Sequence, residues 1–295
     1  MSATTATEGG PAAAVRPHGF WYRYRRNTPA VIAAVVLTLI VLASIFAPLI
    51  APHSPTTTDV FNRLSAPTPS NLLGTDMLGR DVLSRLLYAG RVSLFAAVLA
   101  VGVAAVLGVP TGLVAGFVGG RVDWVLNRIA DVLMTFPTLI LAVAVIGVMG
   151  PGLTKAMVTL GVVYAPRLFR VVRGATLGVR AETYIEASIS IGTRPFTVLR
   201  RRVLPNILPP LLVQLSLMLA TALLAEAALS LLGLGAQPPT PSWGVELGGA
   251  FNQIRSAPDL VWAPGLAIAL ATLSFNLIGD GLRDSLGREI HRRSR

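Results

Sequence analysis

The side chains that most often carry out chemistry are scarce and scattered in this sequence. It has no cysteine, and its three histidines (His18, His53 and His291) lie far apart and outside the long apolar segments. This pattern argues against a reactive thiol, a histidine metal site or a histidine acid–base pair. The only lysine, Lys155, does not follow a glycine-rich loop of the P-loop type. The sequence therefore predicts a non-catalytic chain that binds no metal and no cofactor of its own.

The composition places the chain in a lipid bilayer. Charged residues make up 13% and hydrophobic residues 53% of the sequence, whereas a soluble domain is about 25% charged. The net charge of +11 would suggest nucleic acid if the protein were soluble. Here the positive residues cluster at the edges of apolar segments, as in membrane proteins. We predict an all-α integral membrane protein that does not bind nucleic acid.

Six apolar segments are long enough to cross a bilayer as helices, since about 20 residues suffice. They are residues 29–51, 92–118, 124–149, 152–172, 207–234 and 261–282. With the N-terminus in the cytoplasm, 19 of the 25 lysines and arginines fall on the inner side and six on the outer side. Because positive residues concentrate on the cytoplasmic side, both termini are predicted to be cytoplasmic.

The chain is accordingly divided into five parts. They are a cytoplasmic arm (1–28), a first transmembrane helix (29–51), an extracytoplasmic loop (52–91), a five-helix core (92–283) with an inner loop at 173–206, and a basic cytoplasmic tail (284–295). In the second helix, Gly108, Gly112 and Gly116 repeat every four residues. This spacing predicts a face for close packing against another helix.

A few polar residues lie in or near the apolar segments. Glu226 is surrounded by alanine and leucine, and Asn276 and Asp280 share one face of the sixth segment. A carboxylate is costly in a membrane unless it is paired or hydrated, so these residues are candidates for the lining of a translocation pathway. Hydrogen-bonded packing residues are the alternative. Asp131 is expected to pair with Arg128 at i,i+3 spacing.

The inner loop at 173–206 is too long for a simple connection. Residues 181–191 have helical apolar spacing, and Gly192 suits a helix stop. A second short helix at 196–203 is expected to end near Pro205, because the residue before a proline disfavours helical geometry. The loop is thus predicted to be two short helices with a sharp bend, rigid enough to transmit force from a soluble partner.

The inner loop contains Glu186, Ala187, Ser188, Gly192, Leu204 and Pro205. This set resembles the EAA motif of binding-protein-dependent ABC importer permeases, with Ser188 where a second alanine is usual. In that family the motif docks in a cleft of the ATPase subunit and couples ATP hydrolysis to the membrane helices. The resemblance therefore implies an ATPase-coupling role for these residues. The loop by itself leaves open an amphipathic segment that lies on the membrane surface.

Two segments that are predicted to be extracytoplasmic indicate which branch of the family the chain resembles. Residues 72–94 are similar to the segment before the second helix of dipeptide and oligopeptide permeases, and 229–244 to their signature after the fifth helix. The order of segments is that of the C-type subunit. Candidates for an outer gate or for contact with a binding protein are Asp76, Arg80, Asp81, Pro241 and Trp243. The alternatives are a loop whose charges satisfy one another and, for Trp243, an anchor at the membrane interface.

The resemblance implies a type I ABC importer permease fold in the cytoplasmic membrane of a prokaryote. It further implies a second homologous permease subunit, two P-loop ATPase subunits that bind ATP and Mg, and an extracytoplasmic substrate-binding protein. Dipeptides or oligopeptides are the expected cargo, and nickel, metal chelates or other small solutes are the alternatives within the family. An ion-coupled secondary transporter is the alternative from another class, but it would need ionisable relays that the apolar segments scarcely offer.

Overall fold

The computed structural model describes residues 20–293, with side chains for 22–286, and this range contains helices and loops but no strand. The helices are α1 (Phe20–Arg26), α2 (Thr28–Ile45), α3 (Ala47–Ile50), α4 (Val82–Val118), α5 (Gly120–Thr135), α6 (Thr138–Met149), α7 (Leu153–Arg180), α8 (Thr183–Ser190), α9 (Pro195–Val198), α10 (Leu204–Leu231), α11 (Trp243–Asn252) and α12 (Trp262–Arg293). The all-α prediction is confirmed for the described residues.

Four helical stretches of the described chain are long and apolar enough to cross a membrane. They are α2, α4, the run Pro195–Leu231 and the run Pro258–Leu286. α5 and α6 make a fifth only if they count as one span, because they meet at 86°. Phe136 is extended at this bend, since Pro137 disfavours helical geometry in the residue before it. α7 is 28 residues long but carries several arginines.

α4 begins at Val82, well before the predicted start at residue 92. Asp81 caps it, because its carboxylate accepts the backbone N–H of Ser84 at 2.8 Å and the hydroxyl of Ser84 at 2.7 Å. Such a capping interaction satisfies one of the free donors at a helix start. The second helix therefore begins within the predicted loop. Residues 51–81, which connect α3 to α4, are called here the outer loop.

The expected helix end near Pro205 is wrong, because the chain stays helical from Pro195 to Leu231. A π-turn at Leu199–Val203 joins α9 to α10. At its end the N–H of Leu204 donates to the carbonyl of Leu199, five residues back. The wider ring of the π-turn and the place of Pro205 in the first turn of α10 let the helix continue through the proline.

The centre of the fold is the contact between α4 and α7, and the predicted glycine face lies on it. A Cβ atom added to Gly112 would be 2.8 Å from the Phe169 carbonyl oxygen, and one added to Gly116 would be 2.8 Å from the Arg173 carbonyl oxygen. From the other side, a Cβ on Gly161 would be 2.6 Å from the Ala100 carbonyl oxygen. The two backbones therefore approach too closely for any side chain, as the spacing predicts.

The remaining long helices surround this pair. α10 packs against α4, α7 and α12, and α2 packs against α12 and the outer end of α4. α11 lies against α4, α10 and α12. Two parts lie at opposite ends of this helical body. One consists of the outer loop and α11, and the other consists of α8 and α9.

Replacing Gly112 by valine should destabilise the protein, because the new side chain would overlap the backbone of α7. Overpacking of this kind costs about 1–3 kcal/mol, measured as the free energy of unfolding in detergent. Gly102→Val is the matched control, since a Cβ at Gly102 meets nothing within 4 Å. Equal losses in the two variants would contradict the close contact.

Candidate functional site

The segment formed by residues 183–206, called here the inner segment, folds as two short helices around a tight turn. Gly192 has a φ of +81°, which strongly favours glycine. Its N–H donates to the Ile189 carbonyl at 2.9 Å, and the N–H of Thr193 donates to the Ser188 carbonyl at 3.2 Å. These two bonds form a Schellman motif that ends α8. The predicted bend at Gly192 is confirmed.

The six motif residues of the inner segment occupy different environments. Glu186, Ala187, Gly192 and Pro205 are exposed, Leu204 is half-buried and Ser188 is buried. Ser188 is 1% exposed, and its hydroxyl has no hydrogen-bond partner among the described residues. Serine in place of the usual alanine therefore buries a polar group that gains no hydrogen bond within this part of the chain. The exposed members lie on the projecting side, where another protein could contact them.

Two large apolar side chains at the turn were missed by the sequence reasoning. Ile191 is 79% exposed and Phe196 is 73% exposed. They flank the turn at Gly192, with Ile191 at the end of α8 and Phe196 in α9. Exposed apolar groups grouped with polar ones are typical of a contact surface for another protein. The helix stop at Gly192 was the sequence signal that could have identified them, because apolar side chains beside a helix stop have no continuous helix face on which to pack.

The inner segment is fastened to the start of α10 through Tyr184. The Asn206 side-chain amide donates to the Tyr184 hydroxyl at 3.1 Å and to the Arg202 carbonyl at 2.6 Å. The Arg202 guanidinium donates to the Tyr184 carbonyl at 3.3 Å. Ile185, the next residue, is fully buried in the main apolar core. α8 is thus held to α10 by hydrogen bonds on one side and by packing on the other.

Two ion pairs join α5 to the end of α7 near the inner segment. Arg173 makes a bidentate contact with Asp123, and the Arg170 guanidinium lies 2.5 Å from the Asp131 carboxylate. The expected Asp131–Arg128 pair is wrong, because Asp131 pairs with Arg170 on a neighbouring helix instead. The i,i+3 spacing places Asp131 and Arg128 on one face of α5, but Arg170 of the neighbouring α7 is the residue that contacts the Asp131 carboxylate.

In the outer loop, the charged candidates Asp76, Arg80 and Asp81 find their partners within the loop and at the start of α4. Arg80 contacts the Asp76 carboxylate at 2.6 Å, and Asp76 also accepts the backbone N–H groups of Leu78 and Arg80. Asp81 accepts the Asn71 amide at 3.0 Å in addition to its contacts with α4. A Cβ on Gly79 would lie 1.7 Å from the Asp59 carbonyl oxygen. These contacts favour the self-satisfied loop, and a role of these residues in a gate or in docking stays a prediction.

A buried ion pair that the sequence did not reveal holds α11 to the start of α4. Arg85 is 1% exposed and makes a bidentate contact with Glu246, with guanidinium–carboxylate distances of 2.6–3.1 Å. Its remaining nitrogen donates to the Pro55 carbonyl at 2.7 Å, and Asp76 lies 3.7 Å away. One guanidinium therefore joins the outer loop, α4 and α11.

Glu226 is fully buried in α10 and accepts two serine hydroxyls. Ser93 of α4 donates to one carboxylate oxygen at 2.9 Å, and Ser230 donates to the other at 2.7 Å. Ser93 in turn accepts the backbone N–H of Trp243, and Ser230 accepts the hydroxyl of Ser242. Because a backbone N–H can only donate, the hydrogens of this network point toward the carboxylate. These are the contacts of a packing residue, and its role in a pathway stays a prediction.

Trp243 and Pro241 are both buried in the chain. Trp243 is 2% exposed, and its indole N–H donates to the Leu86 carbonyl at 3.0 Å. The interpretation of Trp243 as an anchor at the membrane interface is wrong, because its ring is buried against Leu86 and Gly90 of α4. Any part of these two residues in an outer gate or in docking stays a prediction that would require the segment to open.

The two other pathway candidates lie on α12. Asn276 is half-buried and Asp280 is exposed, one turn apart toward the C-terminal end of the helix. Asp280 has an open side from which another molecule could reach it, and its pathway role stays a prediction. No group of three or more His, Cys, Asp or Glu side chains among residues 20–293 is arranged to hold a metal ion.

Comparison with protein families gives two matches. A profile described as "Binding-protein-dependent transport system inner membrane component" matches residues 108–292. A second profile, "N-terminal TM domain of oligopeptide transport permease C", matches residues 18–67. Together they cover the first transmembrane segment and most of the core, including the inner segment.

Curated relatives match nearly the whole chain. The dipeptide transport system permease protein DppC of Alkalihalophilus pseudofirmus is 39% identical over 262 residues, which is 89% of this chain and 86% of the relative. The glutathione transport system permease protein GsiD of Escherichia coli is 41% identical over 274 residues, 92% of this chain and 90% of the relative. Among solved structures, an inward-facing MetNI methionine ABC transporter is similar in fold, with a TM-score of 0.54 and 23% identity over 72% of this chain and 97% of that one.

Replacing Glu226 by glutamine should lower the free energy of unfolding by about 1–3 kcal/mol, since the new amide would direct a donor at a hydroxyl that already donates. Thermal unfolding of the purified protein in detergent is the measurement. Glu182→Gln, which changes an exposed carboxylate at the N-cap position of α8, is the matched control.

If Glu226→Gln instead kept the stability of the parent protein and lost only transport, the packing role would be contradicted and the pathway role supported.

Proposed function

The chain belongs to the binding-protein-dependent ABC importer permeases of the dipeptide and oligopeptide family, and we propose that it carries dipeptides or oligopeptides across the cytoplasmic membrane of a prokaryote. A substrate-binding protein would deliver the peptide from outside. The relatives named for dipeptide and glutathione transport support a short-peptide cargo. Nickel, metal chelates or other small solutes are the alternative cargo by the same mechanism. An ion-coupled secondary transporter, the alternative from another class, is disfavoured by the family match.

The proposed topology has six crossings with both termini in the cytoplasm. The crossings are α2, α4, the α5–α6 pair, α7, α10 and α12. α6 alone spans only about 18 Å at 1.5 Å per residue, so α5 must provide the rest of the third crossing at the inner surface. The charges support this orientation, because the arginine-rich end of α7 and its two aspartate partners on α5 then face the cytoplasm.

The inner segment is the proposed site of energy coupling. Two P-loop ATPase subunits would bind ATP and Mg, and one of them would contact the exposed Glu186, Ala187 and Gly192 together with Ile191 and Phe196. This chain would hydrolyse no ATP itself. Movement of α8 would reach α10 through Tyr184, Asn206 and the buried Ile185, because these groups connect the two helices directly.

α10 would then carry the movement outward. The helix is continuous from Pro195 to Leu231, so no flexible loop separates the inner segment from Glu226. Glu226 is hydrogen-bonded to α4 and, through serine hydroxyls, to the segment that begins α11. A tilt of α10 would therefore change the position of α11 at the outer mouth. A second, homologous permease subunit would supply the opposite wall of the pathway.

The observation that carries this proposal is the exposed, hydrogen-bonded projection at the inner segment of a chain that is about 40% identical to peptide permeases. A tagged chain extracted in mild detergent should co-purify with a second permease subunit and P-loop ATPases, identified by mass spectrometry. The reconstituted complex with its binding protein should take up labelled dipeptide only when ATP is present. A chain that purifies alone, or uptake driven by an ion gradient without ATP, would contradict the proposal.

Replacing Gly192 by alanine should uncouple ATP hydrolysis from uptake. The left-handed conformation costs a non-glycine residue about 1–2 kcal/mol, so the turn between α8 and α9 would shift. We expect uptake to fall roughly tenfold while the ATPase activity of the complex persists. Gly178→Ala is the matched control, because Gly178 lies in α7 with nothing within 4 Å of its Cβ position.

Uptake and ATP hydrolysis that fall in parallel, or that are unchanged in Gly192→Ala, would argue against coupling through this turn.

A further inference from the structure

An open groove of about 420 Å³ lies at the outer end of α4. Its polar lining consists of Tyr88 and Arg91 from α4, Thr56 from the outer loop and Thr240 from the segment before α11, with prolines at 239 and 241 as the facing wall. No acidic side chain lines it. The groove is separate from the inner segment and from the buried contacts of Glu226.

Arg91 differs from the two other arginines near the start of α4. Arg80 and Arg85 both contact carboxylates. Arg91 is exposed, and among the described residues its side chain has no ion-pair or hydrogen-bond partner. An exposed guanidinium in a groove without a carboxylate is a binding group for an anion with several oxygens, such as a phosphate, which it can contact in a bidentate way.

The position of Arg91 along α4 corresponds to the depth of lipid headgroups. From Arg91 to the end of α4 at Val118 the helix is about 40 Å long at 1.5 Å per residue. A bilayer with its headgroups is about 40–45 Å thick. Under the proposed topology, which this inference uses, Val118 lies at the inner surface and Arg91 therefore at the level of the outer phosphates.

The surface of α4 below Arg91 is suited to an acyl chain. Phe95, Val98, Gly102 and Val106 follow Arg91 at spacings of three or four residues and are all exposed. They share one face of the helix, since residues three and four apart are neighbours. Gly102 has nothing within 4 Å of its Cβ position, which leaves a shallow furrow. An apolar stripe with a cation at its outer end matches one phospholipid molecule in length and polarity.

We propose that this groove binds the phosphodiester of an outer-leaflet phospholipid. The Arg91 guanidinium would contact the phosphate oxygens, and the Tyr88 and Thr240 hydroxyls would donate to the remaining oxygens. One acyl chain would lie along Phe95, Val98 and Val106. The bound lipid would connect α4 to the segment that leads into α11, and so would stabilise the outer end of the permease.

The test uses the complete transporter complex in lipid nanodiscs that contain a phospholipid with a photoreactive group in its acyl chain. Irradiation followed by mass spectrometry should place the label on peptides that include residues 95–106. Arg91→Gln should reduce this labelling about fivefold, since one arginine near a lipid surface contributes on the order of a fivefold change in affinity. Arg255→Gln, another exposed outer arginine, should leave the labelling unchanged.

Two further experiments distinguish a bound phospholipid from a free phosphate ion and from a bound protein subunit. An excess of inorganic phosphate should not reduce the labelling, and a reduction would overturn the lipid assignment in favour of a free anion. Equal labelling of the parent and Arg91→Gln would also overturn it. A photoreactive residue placed at position 98 should crosslink to lipid. Crosslinking to the second permease subunit instead would overturn the lipid assignment. Uptake of peptide by the same complexes shows separately whether the proposed transport function holds.

Discussion

A carboxylate buried among membrane helices must receive hydrogen bonds, and the outer half of this protein is organised by how Glu226 receives them. Two serine hydroxyls from α4 and α10 donate to it, and backbone N–H groups at the start of α11 fix the direction of these bonds. These hydrogen bonds join α4, α10 and the start of α11 at one point. Trp243 and the Arg85–Glu246 pair then hold α11 in the position that this network defines.

The same helix that carries Glu226 begins at the inner segment. Because α9, the π-turn and α10 are continuous, the two ends of the molecule are joined by one rigid element. Tyr184 and Asn206 attach α8 to its start. The close contact of α4 with α7, made possible by glycines on both helices, supplies the fixed body against which α10 could tilt. The structure thus connects the inner segment directly to the network around Glu226 and α11 through one helical element.

Local patterns in the sequence predicted where most long helices lie and the inner bend, because apolar periodicity and a glycine helix stop act over a few residues. The predicted single helix at 124–149 is wrong, since α5 and α6 meet there at 86°. The Arg85–Glu246 contact was missed, since its partners are 161 residues apart and neither has a local signature. Asp131 was paired with Arg128 because i,i+3 spacing is visible in the sequence, whereas the approach of Arg170 depends on how α5 and α7 pack. Pro205 was read as a helix end by a local rule that the preceding π-turn overrides.

Site-directed crosslinking tests most directly whether the inner segment contacts an ATPase subunit. The chain has no native cysteine, so a single cysteine at Ile191 can carry a photoreactive group without competing sites. In native membranes, irradiation should join position 191 to a P-loop ATPase, whereas the same group at His53 in the outer loop should not capture it. An adduct of position 191 with phospholipid alone would contradict contact with an ATPase subunit, because the inner segment would then lie on the membrane surface.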